Sequence, residues 1–215
     1  MNREVLLYEL NEVPWNIVDL YVTRRPRSAL AAILGRSFQA TTVNEDPAEL
    51  MPWRTWPTFH RSVYTAEHQS YDQGQDSETF RGVPLWDVAE RAGKSVGLFG
   101  LLQSWPPRPF AHGGFWVPDC FAHDASTIPA AVEPFQDFTL EMTSENLFAP
   151  TARPPVTTAL RVAPRLVGLG MRPRTMGFAL RQLAQERIDA RYRERRSVVQ
   201  TLPAFDVYWE LQRQM

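Results

Sequence analysis

The chain has 215 residues, of which 44% are hydrophobic and 22% are charged, and these values are typical of a globular protein with a buried core. A formal net charge of −1 excludes the strongly basic surface that a nucleic-acid-binding protein needs, so we expect no nucleic-acid partner. The single cysteine, Cys120, excludes an internal disulfide and favours a reducing compartment, which indicates a cytoplasmic protein.

The first element in chain order is a short apolar run at residues 4–10 (EVLLYEL). Its length and composition predict a buried parallel strand that delivers Asn11 and Glu12 to its carboxyl end. No long apolar run is present near the N-terminus, so we expect neither a signal peptide nor a transmembrane segment.

Two helices and a second strand are predicted next. Residues 15–25 carry apolar side chains at helical spacing, and residues 26–37 read as a helix with a proline near the start and a glycine near the end. Residues 37–43 (SFQATTV) are rich in β-forming residues and predict a second strand. Further on, residues 83–93 predict a helix, and residues 94–102 (KSVGLFGLL) predict a central strand that follows it after a short turn.

A helix followed at once by a buried strand is one unit of a doubly wound fold. We therefore expect an α/β protein with a mostly parallel sheet flanked by helices, and we interpret residues 111–126 as a polar loop. Residues 151–215 hold 12 arginines and 5 acidic residues, whereas residues 1–150 hold 11 basic and 19 acidic residues. This change in charge indicates an α/β core at 1–150 and an arginine-rich helical cap or insertion at 151–215, with the best helix at 177–199.

The stretch TWPTFHRSVYTAEH at residues 55–68 admits two interpretations. Thr55 is either an ordinary helix cap, because Ser and Thr are common at that position, or a nucleophile presented at a helix N-terminus. Free N–H groups at such a terminus suit a phosphate or sulfate, and Arg54 and Arg61 would neutralise that anion.

Three blocks in this order resemble the alkaline phosphatase superfamily, and more narrowly its type I phosphodiesterase and nucleotide pyrophosphatase branch. The blocks are VLLYELNE at 5–12, PWRTWPTFHRSVYTAEH at 52–68 and PLWDVAERAGKSVGLFGLLQSWPP at 84–107. The resemblance covers about 110 residues and corresponds to the N-terminal portion of such a domain. It implies an alkaline phosphatase-like fold that is incomplete in this chain, and metal-dependent hydrolysis of a phosphate or sulfate ester.

The resemblance also implies roles for particular residues. Thr55 stands at the nucleophile of the family and would also contact a metal. Asn11, with Glu12 beside it, stands where the family has its first metal-binding aspartate. Two divalent ions, Zn²⁺ or Mn²⁺, are implied as cofactors, although most of their ligands are not found in this chain. By position, Arg54, His60 and Arg61 would support the substrate, a small phosphate- or sulfate-ester molecule.

Two other classes of function stay open. The chain is alternatively a non-catalytic, truncated or degenerate family member that acts as an anion-binding or interaction module, and whether it is an enzyme is left undecided. The helix at 177–199 is either a solvated amphipathic helix or a patch for a partner or an acidic membrane surface. A sheet that is open along one edge is also expected to favour self-association.

Overall fold

The computed structural model describes residues 4–144, 163–188 and 197–215. The chain divides into two compact units, Met1–Pro47 and Ala48–Met215. The predicted boundary between residues 150 and 151 lies outside the described residues. None of the helices in the described part of the chain combines the length and the apolar composition that spanning a bilayer requires.

The first unit contains the two helices predicted for it, α1 (Trp15–Arg24) and α2 (Ala29–Leu34). Ser28 caps α2, because its side-chain oxygen accepts a hydrogen bond from the backbone N–H of Ala31 at 3.2 Å. Neither helix buries any of its residues. The unit is therefore organised by local helix formation rather than by an apolar core of its own.

The strands predicted at residues 4–10 and 37–43 are wrong. Both segments lack regular structure, and Val5 and Phe38 are 90% and 95% exposed. Apolar composition marks a segment that can join a sheet, but a strand forms only where a neighbouring strand takes its N–H and C=O groups. No other described strand pairs with either segment.

The second unit contains the remaining helices and the sheet. The helices include α3 (Pro52–Arg61), α4 (Thr65–His68), α5 (Leu85–Arg91), α6 (Glu133–Ser144), α7 (Pro173–Ile188) and α8 (Ser197–Gln214), and the described residues 163–168 are helical as well. Short 3₁₀ turns occur at Ser77–Thr79 and Ala130–Val132. The predicted helix at 83–93 is thus confirmed as α5. The predicted helix at 177–199 is confirmed as part of α7 up to residue 188, and residues 189–196 lie outside the described range.

The sheet of the described residues has two parallel strands, β1 (Val96–Leu101) and β2 (Gly114–Pro118), with Gly97 opposite Phe115. The strand predicted at residues 94–102 is confirmed as β1, but it is not central, because β2 is its only neighbour among the described strands. Interpretation of residues 111–126 as a loop throughout is wrong, because β2 lies within them. The other side of β2 is also paired, since Trp116 forms an antiparallel bridge with Ile128. The protein is therefore a mixed α/β protein with a small parallel sheet flanked by helices.

Apolar side chains cover both faces of this sheet. Phe115 and Val117 lie in a cluster with residues of α6 and α8, including Phe135 and Val207. The side chain between them, Trp116, lies in a second cluster with Trp86, Val96, Leu98 and Phe110. Alternation along a strand explains this division, because successive side chains point to opposite faces. Burial on both faces is typical of parallel strands, and it leaves the ends of the strands as the place for polar groups.

Candidate active site

Thr55 lies in the first turn of α3 and is half-buried. The N-cap of this helix is Met51 and its first residue is Pro52, so Thr55 is the fourth helical residue and not the cap. Its backbone N–H donates to the carbonyl of Met51 at 2.8 Å and is not free for an anion. Proline is common at the first helical position, so Pro52 was the signal in the sequence for this earlier start.

Pro57, two residues after Thr55, leaves a backbone carbonyl without its helical donor. A residue in a helix donates its N–H to the carbonyl four positions earlier, and proline has no N–H. The carbonyl concerned is that of Trp53, and it accepts a hydrogen bond from the Ser70 hydroxyl at 2.7 Å. The indole Nε1 of Trp53 and the Nε of Arg54 both donate to the Tyr71 carbonyl, at 3.0 and 3.2 Å. The segment around Ser70 therefore holds the first turn of α3 at three points.

Gln103 joins this segment to the end of β1. Its side-chain Nε2 donates to the carbonyl of Asp72 at 2.8 Å and lies 3.4 Å from the Ser70 hydroxyl. The backbone of Gln103 has a φ of 63°, in the left-handed region that non-glycine residues seldom occupy. Such a conformation persists where surrounding contacts hold it, and it is often found at functional sites.

Asp119 directly follows β2 and is 5% exposed. Its Oδ2 accepts the backbone N–H of Gln103 and its Oδ1 accepts that of Phe121, both at 2.7 Å. Burial raises the pKa of the Asp119 carboxyl, and the N–H donors oppose that rise. The Gln136 side chain donates to the Asp119 backbone carbonyl at 2.8 Å. The carboxyl ends of β1 and β2 are thus joined around one carboxyl group.

Two buried polar atoms next to Asp119 have no hydrogen-bond partner within the described residues. They are the Ser104 hydroxyl oxygen and the Gln136 side-chain Oε1. Buried polar atoms nearly always have a hydrogen-bond partner, so the burial of these two atoms without one costs free energy locally.

Both histidines of the 55–68 stretch are packed inside the second unit. His60 is 3% exposed and stacks on Trp56 with ring centroids 6.0 Å apart, while Trp86 meets it edge-on at 5.5 Å. His68 is fully buried; its Nδ1 accepts the Ser70 N–H and its Nε2 lies 3.0 Å from the Thr58 hydroxyl. Because Nδ1 is an acceptor, Nε2 carries the proton and donates to Thr58. These contacts favour a packing role for His60 and His68.

The two arginines predicted to support an anion lie at opposite ends of α3. Arg54 lies in the first turn beside Thr55 and pairs with Glu49 at 3.8 Å. Arg61 lies six residues after Thr55, about 9 Å along the helix axis. Its guanidinium donates to the Gly82 carbonyl at 2.6 Å and lies 5.5 Å from the Phe80 ring centroid. Burial lowers the pKa of Arg61, and nearby Asp87 opposes this.

Of the residues expected to bind metal, Asn11 and Glu12 lie in the first unit and Thr55 lies in the second. Asn11 and Glu12 are exposed and form a turn just before α1, in the first unit. No three or more His, Cys, Asp or Glu side chains among the described residues come together as a metal site. An asparagine carbonyl, a carboxylate and a threonine hydroxyl are too few donors to complete a two-metal site.

A scan against protein-family models and searches of curated proteins and of solved structures gave no match to this chain.

Proposed function

We propose that this protein is a hydrolase of phosphate or sulfate esters, similar to a phosphodiesterase, with Thr55 as its nucleophile. One observation carries the proposal: the first turn of α3, which bears Thr55, is hydrogen-bonded to Ser70, and Gln103 joins Ser70 to the carboxyl ends of two parallel strands. In α/β proteins this edge of the sheet is where ligands bind. The resemblance of residues 5–12, 52–68 and 84–107 to the alkaline phosphatase superfamily supports the same reaction.

In the proposed reaction, the Thr55 hydroxyl oxygen attacks the phosphorus or sulfur of the ester, and the alcohol leaves. Water then hydrolyses the ester formed on Thr55 and restores the hydroxyl. Arg54 is the cation nearest to Thr55 in the chain, and its guanidinium is suited to hold a non-bridging oxygen of the substrate. His60 and Arg61 are better suited to support the helix than the substrate, because their side chains are engaged with rings and carbonyls.

Dependence on Zn²⁺ or Mn²⁺ is part of the proposal through the resemblance alone. The described residues do not fit a complete two-metal site, so no step is assigned to a metal. Asn11 and Glu12 are the residues whose replacement would test a metal contribution. A carboxylate ligand binds Mn²⁺ or Zn²⁺ more strongly than a neutral carbonyl does. Glu12→Gln should therefore reduce the stimulation of turnover by the metal more than Asn11→Ala does.

The proposed function is tested by hydrolysis of bis-p-nitrophenyl phosphate, p-nitrophenyl phosphate and p-nitrophenyl sulfate, with and without Zn²⁺ or Mn²⁺. Thr55→Val keeps the shape of the side chain without its hydroxyl and should abolish turnover, whereas Thr55→Ser keeps a hydroxyl and should retain it. Turnover that survives in Thr55→Val, or no turnover of any ester by the folded wild-type protein, would refute the proposal.

The alternative function is that of a non-catalytic interaction module, and exposed apolar surface favours it. Val5, Leu6 and Phe38 are 90%, 68% and 95% exposed. β1 is paired on one side only among the described strands, and its Gly97 and Gly100 are exposed, so its backbone is reachable there. An uncovered strand edge is a template for another chain. Under this alternative, self-association or partner binding would be the same in wild type and in Thr55→Val.

A further inference from the structure

We propose that Asp119 is a positioning residue for Thr55, acting through Gln103 and Ser70 on the first turn of α3. The inference deepens the proposed function and rests on it for the role of Thr55. In this proposal the buried carboxyl group at the end of β2 fixes the orientation of the nucleophile. Asp119 itself does not touch the substrate.

The turn that bears Thr55 needs hydrogen bonds from residues outside α3. Pro57 removes the N–H that would bind the Trp53 carbonyl, so this turn lacks one of its internal hydrogen bonds. The Ser70 hydroxyl supplies the missing donor at 2.7 Å. Ser70 is completely buried, and its backbone N–H donates to His68. The orientation of the Ser70 hydroxyl therefore decides whether the Trp53 carbonyl is satisfied.

Gln103 orients the Ser70 hydroxyl. The Gln103 Nε2 lies 3.4 Å from the Ser70 oxygen and donates to the Asp72 carbonyl at 2.8 Å. When the Ser70 oxygen accepts from Gln103, its own proton is directed to Trp53. Gln103 makes both contacts from a left-handed backbone conformation, at a φ of 63°.

Asp119 holds Gln103 in its left-handed backbone conformation. Its Oδ2 accepts the Gln103 N–H at 2.7 Å, and its Oδ1 is engaged by Phe121 at the same distance. Because the group is 5% exposed and both oxygens are engaged by the backbone, it is unsuited to meet a substrate. The two backbone N–H groups need two acceptor oxygens, which a carboxyl group has and an amide does not, and this explains an acidic residue at a buried position.

Amide hydrogen exchange of the full chain tests this connection without relying on catalysis. In Asp119→Asn the amide of Thr55 should exchange about tenfold faster, because asparagine has one acceptor oxygen for two backbone N–H groups and the loss of one hydrogen bond loosens the turn that it supports. Amides of β1 report global opening and should not share this acceleration. Gln103→Asn should have the same effect: asparagine tolerates the left-handed conformation, but its shorter side chain does not reach Asp72. It also preserves the test if Asp119→Asn fails to fold.

Two controls sharpen this experiment. Asp124→Asn makes the same change on a carboxylate that accepts from Trp105 and Ser126, and it should leave exchange at Thr55 unchanged. Ser70→Ala should accelerate exchange at Thr55, and adding Gln103→Asn to it should give no further acceleration, since both act through one contact. The proposal is overturned if folded Asp119→Asn and Gln103→Asn leave Thr55 exchange unchanged, or if β1 amides accelerate equally.

Ester hydrolysis then separates this proposal from the proposed function. If the wild type hydrolyses esters, Gln103→Asn should lower kcat with KM unchanged, because it misorients the nucleophile without removing a substrate contact. A change confined to KM would contradict a positioning role. If the wild type shows no turnover, the proposed function fails, while hydrogen exchange still decides whether Asp119 controls the first turn of α3.

Discussion

The pairing of β1 with β2 is open to a direct test at Gly97. A β-carbon added there would lie 2.5 Å from Cε1 and Cζ of the Phe115 ring, well inside contact distance. Phe115 is 2% exposed and packs among side chains from α6 and α8, so its ring has little room to move. Overpacking a filled core costs about 1–3 kcal/mol, and we expect Gly97→Ala to lie near the upper end, at about 2–3 kcal/mol. For a chain of this size the melting temperature should then fall by about 4–12 °C.

The free energy of unfolding is measured by urea titration, followed through tryptophan fluorescence. Phe115→Leu should by itself cost about 1–2 kcal/mol for the cavity it leaves. In the double variant, however, leucine makes room for the new methyl group, so the two losses should not add. A matched control is Gly100→Ala, where the added carbon meets nothing within 4 Å and only the φ of 68° opposes it. Additive losses, or a Gly97→Ala variant as stable as wild type, would mean that Gly97 does not face Phe115.

The carboxyl groups of Asp119 and Glu90 should make the stability of the protein depend on pH in opposite directions. A further prediction concerns self-association through the outer edge of β1. Burial raises the pKa of Asp119, so its contribution to the free energy of unfolding is full below the unfolded pKa of about 4 and is lost as pH rises through the folded pKa. The stability of the wild type relative to Asp119→Asn should therefore fall over that pH range. The pKa of Glu90 is lowered by its hydrogen bond from Arg108 and by the Ala111 N–H, so its contribution is present above about pH 4 and is lost in acid. Glu90→Gln should therefore destabilise the protein at neutral pH and not below the folded pKa, as urea titrations at several pH values would reveal. If the outer edge of β1 pairs with a second copy, sedimentation should show a larger species as protein concentration rises, and a monomer at every concentration would contradict that pairing.

Elements that depend on nearby residues were predictable from the sequence, and those that depend on a distant partner were not. Helical spacing and capping residues sufficed for α1, α2 and α5, and a compact apolar run sufficed for β1. The same reasoning failed at residues 4–10 and 37–43, because apolar composition does not reveal whether a neighbouring strand exists. It also missed β2, which begins at the second of two paired glycines and ends at Pro118, because these residues resemble loop punctuation.

The candidate site was only partly predictable for a similar reason. The sequence singled out Thr55 and its helix, but Pro52 moved the start of that helix to an earlier residue. Nothing local in the sequence indicates that Ser70, Gln103 and Asp119 are hydrogen-bonded in series, since they are separated by 33 and 16 positions. The one usable signal was the position of Asp119 directly after the run FWVP, where a parallel strand ends and polar groups gather.

The contact between Trp86 on α5 and Trp116 on β2 has a spectroscopic consequence. Their rings lie 6.0 Å apart at an angle of 71°, and both are buried. Two indoles this close and this skewed should share their excited states and produce paired circular dichroism bands of opposite sign in the far ultraviolet. Such bands would report the docking of α5 on the sheet without any label, independently of whether the chain turns over a substrate.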